Sequence, residues 1–192
     1  IDQEGQLLGI VTVDEIVDVI REEATEDFLQ MAGAGKDREI LMKSSWDNAR
    51  SRLPWLFASW IGGICAAAVI GIFDNTLQGT LALAAFIPVV IGMGGNIGTQ
   101  TSTLVVRGLA TGRVNVGNNI NIIFKEIRVG MILGILYGLL LGLFAIMRFV
   151  DISPYLGLVV GLGIASSMLI ATAFGSLVPL LLHRIDVDPA IA

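Results

Sequence analysis

Phe86-Ile-Pro-Val-Val-Ile-Gly-Met-Gly-Gly-Asn-Ile-Gly-Thr-Gln-Thr-Ser-Thr-Leu-Val-Val-Arg107 lies inside a hydrophobic run long enough to cross a membrane, yet its centre reads Gly-Gly-Asn-Ile-Gly-Thr-Gln. A polar, glycine-rich centre is poorly suited to lipid. Pro88 removes a backbone donor, and the glycines loosen the helix. Asn96 and Gln100 are one helical turn apart and share a face. Polar groups at membrane depth persist only where protein or water satisfies them. The stretch predicts a transmembrane helix that lines a polar pathway.

The rest of the chain fits that setting. Of its 192 residues 54% are hydrophobic and only 15% charged, which predicts an all-α polytopic membrane protein. The net charge of −5 conceals two chemical regions: residues 1–53 hold twelve of the seventeen acids and half of the Lys and Arg. The basic residues are scattered and outnumbered, so no nucleic-acid surface is expected. Cys65 and His183 each stand alone, which rules out a disulfide framework, a Cys or His metal cluster and a catalytic triad. With Glu126 the one acid of the apolar half in a plausible place for catalysis, the inventory does not describe an enzyme.

Residues 1–13 read as a β-hairpin remnant, with turn chemistry at 2–5 followed by Leu7, Leu8, Ile10, Val11 and Val13. Asp14 is the expected N-cap of a helix that puts Ile16, Val17 and Ile20 on one face. Residues 21–27 continue it as a solvated acidic stretch, broken at Gly33-Ala-Gly35, and Ile40 to Arg52 lead to the membrane. Four spans are expected, at about 54–73, 81–106, 127–149 and 155–182. Trp46, Trp55 and Trp60 cluster where rings suit the headgroup region. Neither end reads as a natural terminus, so a fragment is expected.

Arg107, Arg113, Lys125 and Arg128 gather around the loop after the second span, whereas the loops after the first and third carry no basic residue and Arg148 alone. The bias places residues 1–53, the 107–126 loop and residues 183–192 in the cytoplasm. In the third span Gly130, Gly134, Gly138 and Gly142 recur every four residues, a small-residue groove for a neighbouring helix. The small residues of the fourth span read mainly as packing too.

Two segments together resemble a known family. Gly5-Gln-Leu-Leu-Gly-Ile-Val-Thr12 and Asp14-Glu-Ile-Val-Asp-Val-Ile20 look like the end of a CBS domain, which makes residues 1–20 its C-terminal remnant. Then follow Glu22-Glu-Ala-Thr-Glu-Asp27, Pro88 to Gln100, Arg107-Gly-Leu-Ala-Thr111, Phe124-Lys-Glu126 and Asp186-Val-Asp-Pro-Ala190. In that order they are similar to the MgtE family of bacterial magnesium transporters, over nearly the whole chain. The resemblance implies a homodimeric magnesium channel of the bacterial inner membrane, in the lipid bilayer, with cytosolic domains. Residues 21–53 would be the connecting helix that plugs the pore, residues 54–182 the membrane domain, and residues 183–192 the loop toward a fifth span. The pore would lie at the dimer axis, and the family's pore aspartate, on that fifth span, has no counterpart here.

Mg²⁺ is a hard ion that prefers six oxygens and sheds water reluctantly. Asn96, Thr99, Gln100 and carbonyls near Gly92, Gly94 and Gly95 offer neutral oxygens, and soft ligands are missing. These amides could also merely bond between helices. Glu126 is either an interfacial charge or, by the resemblance, close to the inner mouth of the pathway. Asp18, Glu22 and Glu26 repeat every four residues, where like charges repel and a divalent cation would relieve them. The bland reading is a solvated helix face. The resemblance implies regulatory Mg²⁺ sites, with Asp18, Glu23, Glu26, Asp27 and Glu15 as the candidates. Magnesium uptake gated by cytosolic Mg²⁺ is thus the expected function. An ion-coupled secondary transporter of another divalent cation is the alternative, although no second Gly-Gly-Asn-like segment suggests paired repeats.

Overall fold

A computed structural model describes residues 11–34, 42–79, 81–114, 119–150, 153 and 155–191. The described residues form α-helices α1 (Val13–Met31), α2 (Ser45–Ile72), α3 (Asp74–Gly79), α4 (Leu81–Ala84), α5 (Ile87–Ala110), α6 (Asn119–Arg148) and α7 (Leu156–Arg184), with a 3-10 turn at Pro189–Ile191. No strand occurs among them. Residues 1–10 of the expected hairpin lie outside the described residues. Four stretches are long and apolar enough to span a bilayer: Ser45–Ile72, Leu81–Ala110, Ile120–Arg148 and Leu156–Arg184. The chain divides into two compact units, Ile1–Gly62 and Gly63–Ala192.

In the first unit, Thr12 rather than Asp14 caps α1. Glu15 N–H donates to the Thr12 hydroxyl (3.3 Å), and Thr12 N–H donates to Glu15 Oε2 (2.7 Å). This Thr-x-x-Glu capping box satisfies two donors at once, which an Asp14 cap cannot do. The helix ends on Gly33, whose φ of +68° suits the residue beyond a helix end. Gly33 N–H donates to Gln30 O and Ala34 N–H to Leu29 O, at 2.8 and 2.9 Å. Gly33 also lies against Trp55: a Cβ there would sit 3.4 Å from the Trp55 Cβ. The start of α2 precedes the expected span start at 54 because Ser44 and Asp47 cap it reciprocally. Pro54 consequently lies inside that helix.

In the second unit α7 is the central post. Ile164, Met168, Thr172, Ser176 and Pro179 on it are fully enclosed. The glycine ladder of α6 docks there as its spacing suggests. A Cβ on Gly142 would sit 2.6 Å from the Gly157 carbonyl, and one on Gly161 would sit 2.7 Å from the Gly138 carbonyl. Real Cβ atoms do not approach so closely, so the seam depends on glycine at both helices. The core runs in three levels: Phe86, Ala82, Ala145, Leu156 and Val160; then Ile97, Ile164 and Met168; then Val105, Leu109 and Leu180. Phe86 meets Phe149 and Phe144 edge-on at the first level. Beyond α7, Asp186 takes φ +56°, so that Val187 N–H reaches Leu182 O (2.9 Å) and closes the helix.

Candidate ion pathway

Helix α5 carries two unlike faces. Gly94, Ile97, Thr101, Val105 and Leu109 are buried, spaced three or four apart as one helical stripe requires. Gly92, Gly95, Asn96, Thr99 and Gln100 are exposed and make up the opposite stripe. The buried stripe sits on α7. Gly94 stands against the Ser167 side chain, and a Cβ on Gly98 would lie 3.6 Å from that of Ala171. Around Gly92 and Gly95 a Cβ would meet nothing within 4 Å.

The helix is unbroken from Ile87 to Ala110, contrary to the loosening expected of Pro88 and the glycines. Pro88 falls in the first turn, where its missing N–H would have had no helical partner. The Gly95 carbonyl is not freed either. It accepts the Thr99 hydroxyl at 3.0 Å, which leaves the Thr99 oxygen lone pairs turned outward with the Asn96 and Gln100 amides. The open stripe therefore offers side-chain oxygens rather than loose backbone. Gly94 belongs to the packed side and lies apart from the others.

Glu126 lies in the third turn of α6, half-buried, within the helix rather than in a loop before it. Its Oε2 is 3.5 Å from the Thr101 hydroxyl, on the packed side of α5. Thr101 went unnoticed in the sequence. The available signal was a threonine on the same stripe as Ile97 and Val105.

On α1, Glu15, Asp18 and Glu23 are exposed, and Glu26 and Asp27 are half-buried. The Thr12 backbone N–H, and then its hydroxyl, hold the Glu15 carboxyl below its ordinary range. Among the described residues no three carboxylate, His or Cys groups gather closely enough to hold a metal ion. The acidic candidates thus share a helix without forming a ligand set by themselves.

Four membrane-capable helices, one of them with an exposed polar face, fit a membrane transport protein by class. The comparisons narrow it. The family model of MgtE, a divalent cation transporter, matches residues 87–192. The chain is 36% identical over its whole length to the magnesium transporter MgtE of Bacillus subtilis and covers 42% of that protein. It is likewise 36% identical to that of Thermus thermophilus and 34% identical to that of Enterococcus faecalis, covering 42% and 41% of them. This chain belongs to the MgtE family, whose members are transporters and not enzymes. It spans about two fifths of the length of these curated relatives.

Proposed function

We propose that this chain is the membrane part of a magnesium uptake channel whose ions pass along the open stripe of α5. One observation carries the reading. At mid-helix, where a span should present hydrocarbon, α5 presents Asn96, Thr99 and Gln100. An amide left without a partner in hydrocarbon costs about 4–8 kcal/mol. Water in a pathway, closed on its other side by a second copy of the chain, removes that cost. Neutral amide and hydroxyl oxygens suit Mg²⁺ that retains most of its water, since they are too weak to strip it. Magnesium is also the ion named for the relatives.

In this reading the basic residues around 107–128 face the cytoplasm of a bacterial inner membrane, and α1 lies on that side. The acids of α1 then sense cytosolic Mg²⁺. Asp18, Glu23, Glu26 and Asp27 would complete a coordination shell with groups beyond the described residues. Neutralising these four together is expected to abolish the Mg²⁺ dependence of protease protection in this region, and an unaltered titration would count against the sensing role.

The pathway itself is tested by Asn96→Leu in the full-length protein, reconstituted in vesicles with a Mg²⁺-sensitive dye inside. Flux is expected to vanish while the dimer persists. Unchanged flux would remove the proposal.

A further inference from the structure

Several hydroxyls of the membrane helices bond locally: Thr99, Thr111, Thr172 and Ser176 each donate to a carbonyl four residues earlier. Among the described residues two hydroxyls bond across between helices, and both crossings involve α5. Ser167 of α7 donates to the Val90 carbonyl at 3.2 Å, toward the start of α5. Thr101 donates to the Glu126 carboxylate of α6 at 3.5 Å, more than two turns further along. Between them the backbones of α5 and α7 approach closely. There a Cβ on Gly175 would sit 2.6 Å from the Gly98 carbonyl and 3.2 Å from the Thr101 Cβ.

These contacts constrain α5 in different ways. Close backbone approach at Gly98 and Gly175 fixes its distance from α7, but glycine surfaces resist rotation weakly. The Ser167 and Thr101 bonds resist rotation, because each needs one particular azimuth. Thr101 is 2% exposed, so its hydroxyl has no bulk water to replace Glu126. Successive helical residues are about 100° apart, which puts Thr101 about 140° around the helix from Asn96. Glu126 thus reaches the back of α5 and not the stripe of Asn96 and Gln100.

We infer that Glu126 is a positioning residue: through Thr101 it holds α5 so that Asn96 and Gln100 face the pathway, and it does not itself ligate the ion. The inference rests on the pathway reading above. The contact is long for an O–H···O bond, so it sets direction with modest strength. Losing it should lower flux by about tenfold rather than abolish it.

The test uses the full-length protein in Mg²⁺-dye vesicles, with Asn96→Leu as the reference. Thr101→Val and Glu126→Ala should each lower flux by about tenfold, and the double variant should be no worse than either. Thr101→Ser restores the hydroxyl and should restore flux. Glu126→Gln keeps an acceptor without the charge and should retain at least about half. A second readout follows the rotation. With Cys65 replaced by Ala, Asn96→Cys should react with a charged thiol reagent severalfold more slowly once Thr101→Val is added. If Asn96→Leu conducts normally, the pathway reading itself fails. If Asn96→Leu is dead, Thr101→Val is silent and Glu126→Gln is as impaired as Glu126→Ala, the pathway stands. Glu126 then acts through its charge, and the positioning role is overturned.

Discussion

The outward faces of α5 and α6 lie at the same level of the bundle and have opposite chemistry. Their level can be read from α7. Gly94 and Gly98 of α5 meet Ser167 and Ala171, while Gly134 and Gly130 of α6 meet Ala165 and Thr172. Asn96 and Ile132 are therefore near neighbours in depth. From Val129 to Leu140 the exposed residues of α6 are Val129, Met131, Ile132, Ile135, Leu136, Leu139 and Leu140, with Tyr137 carrying the one hydroxyl, and Arg128 stands exposed one turn before Ile132. Around Asn96 the exposed residues of α5 are Gly92, Gly95, Thr99 and Gln100, with the apolar Ile91 and Leu104 exposed about one and two turns away. Exposure means different things on the two helices. The α6 face is one that lipid can cover with no further partner. For α5 it is a surface that lipid cannot satisfy, so water or another chain must cover it.

The largest expected effect comes from exchanging the two chemistries. Asn96→Leu gives α5 a face like that of α6 and should abolish flux. Ile132→Asn is the reciprocal change. It should lower the thermal stability of the purified protein, by about 1–3 kcal/mol, and leave flux per folded molecule within about twofold. Equal effects of the two variants on flux would erase the distinction between the faces.

A smaller effect separates the glycines. Gly142 and Gly95 look alike in sequence, each in an apolar span. Gly142→Val would drive side-chain atoms into the Gly157 backbone and should destabilise by about 1–3 kcal/mol. Gly95→Ala meets open space within a helix and should stabilise slightly, by up to about 1 kcal/mol. Thermal unfolding in detergent decides between them. A Gly142→Val protein as stable as the parent would mean that the α6–α7 seam is looser than its geometry.

The four spans were legible because a bilayer demands a minimum apolar length, and composition alone reveals that. The glycine ladder was legible because a repeat of four marks one helix face. Which glycines of α5 would be packed was not. The helical period sorts Gly94 and Gly98 from Gly92 and Gly95, but only Ser167, Ala171 and Gly175, some seventy residues away, decide which pair is covered. Thr101 was missed for the same reason: a buried hydroxyl becomes meaningful once Glu126 is known to stand behind it. The unbroken course of α5 also escaped. Pro88 reads as a breaker until the helix start is placed one residue before it.

The smallest expected effect lies in the first unit, at the start of α1, and extends the comparison to an exposed face outside the apolar stretches. Glu15 accepts the Thr12 N–H, and its carboxyl is held below the ordinary value of 4.5. A depressed carboxyl binds its proton more readily when the helix is frayed. Its contribution is therefore complete above the ordinary value and is lost as pH falls through the lower, folded one. A pH titration of the wild type alone does not separate the cap from the rest of the helix. Comparison with Glu15→Gln, which keeps an acceptor but does not titrate, isolates the cap. Amide-exchange protection at residues 13–16, corrected for intrinsic rates, should fall between pH 5 and pH 3 more steeply in the wild type than in the variant. Parallel curves would show that the capping box contributes nothing that depends on charge.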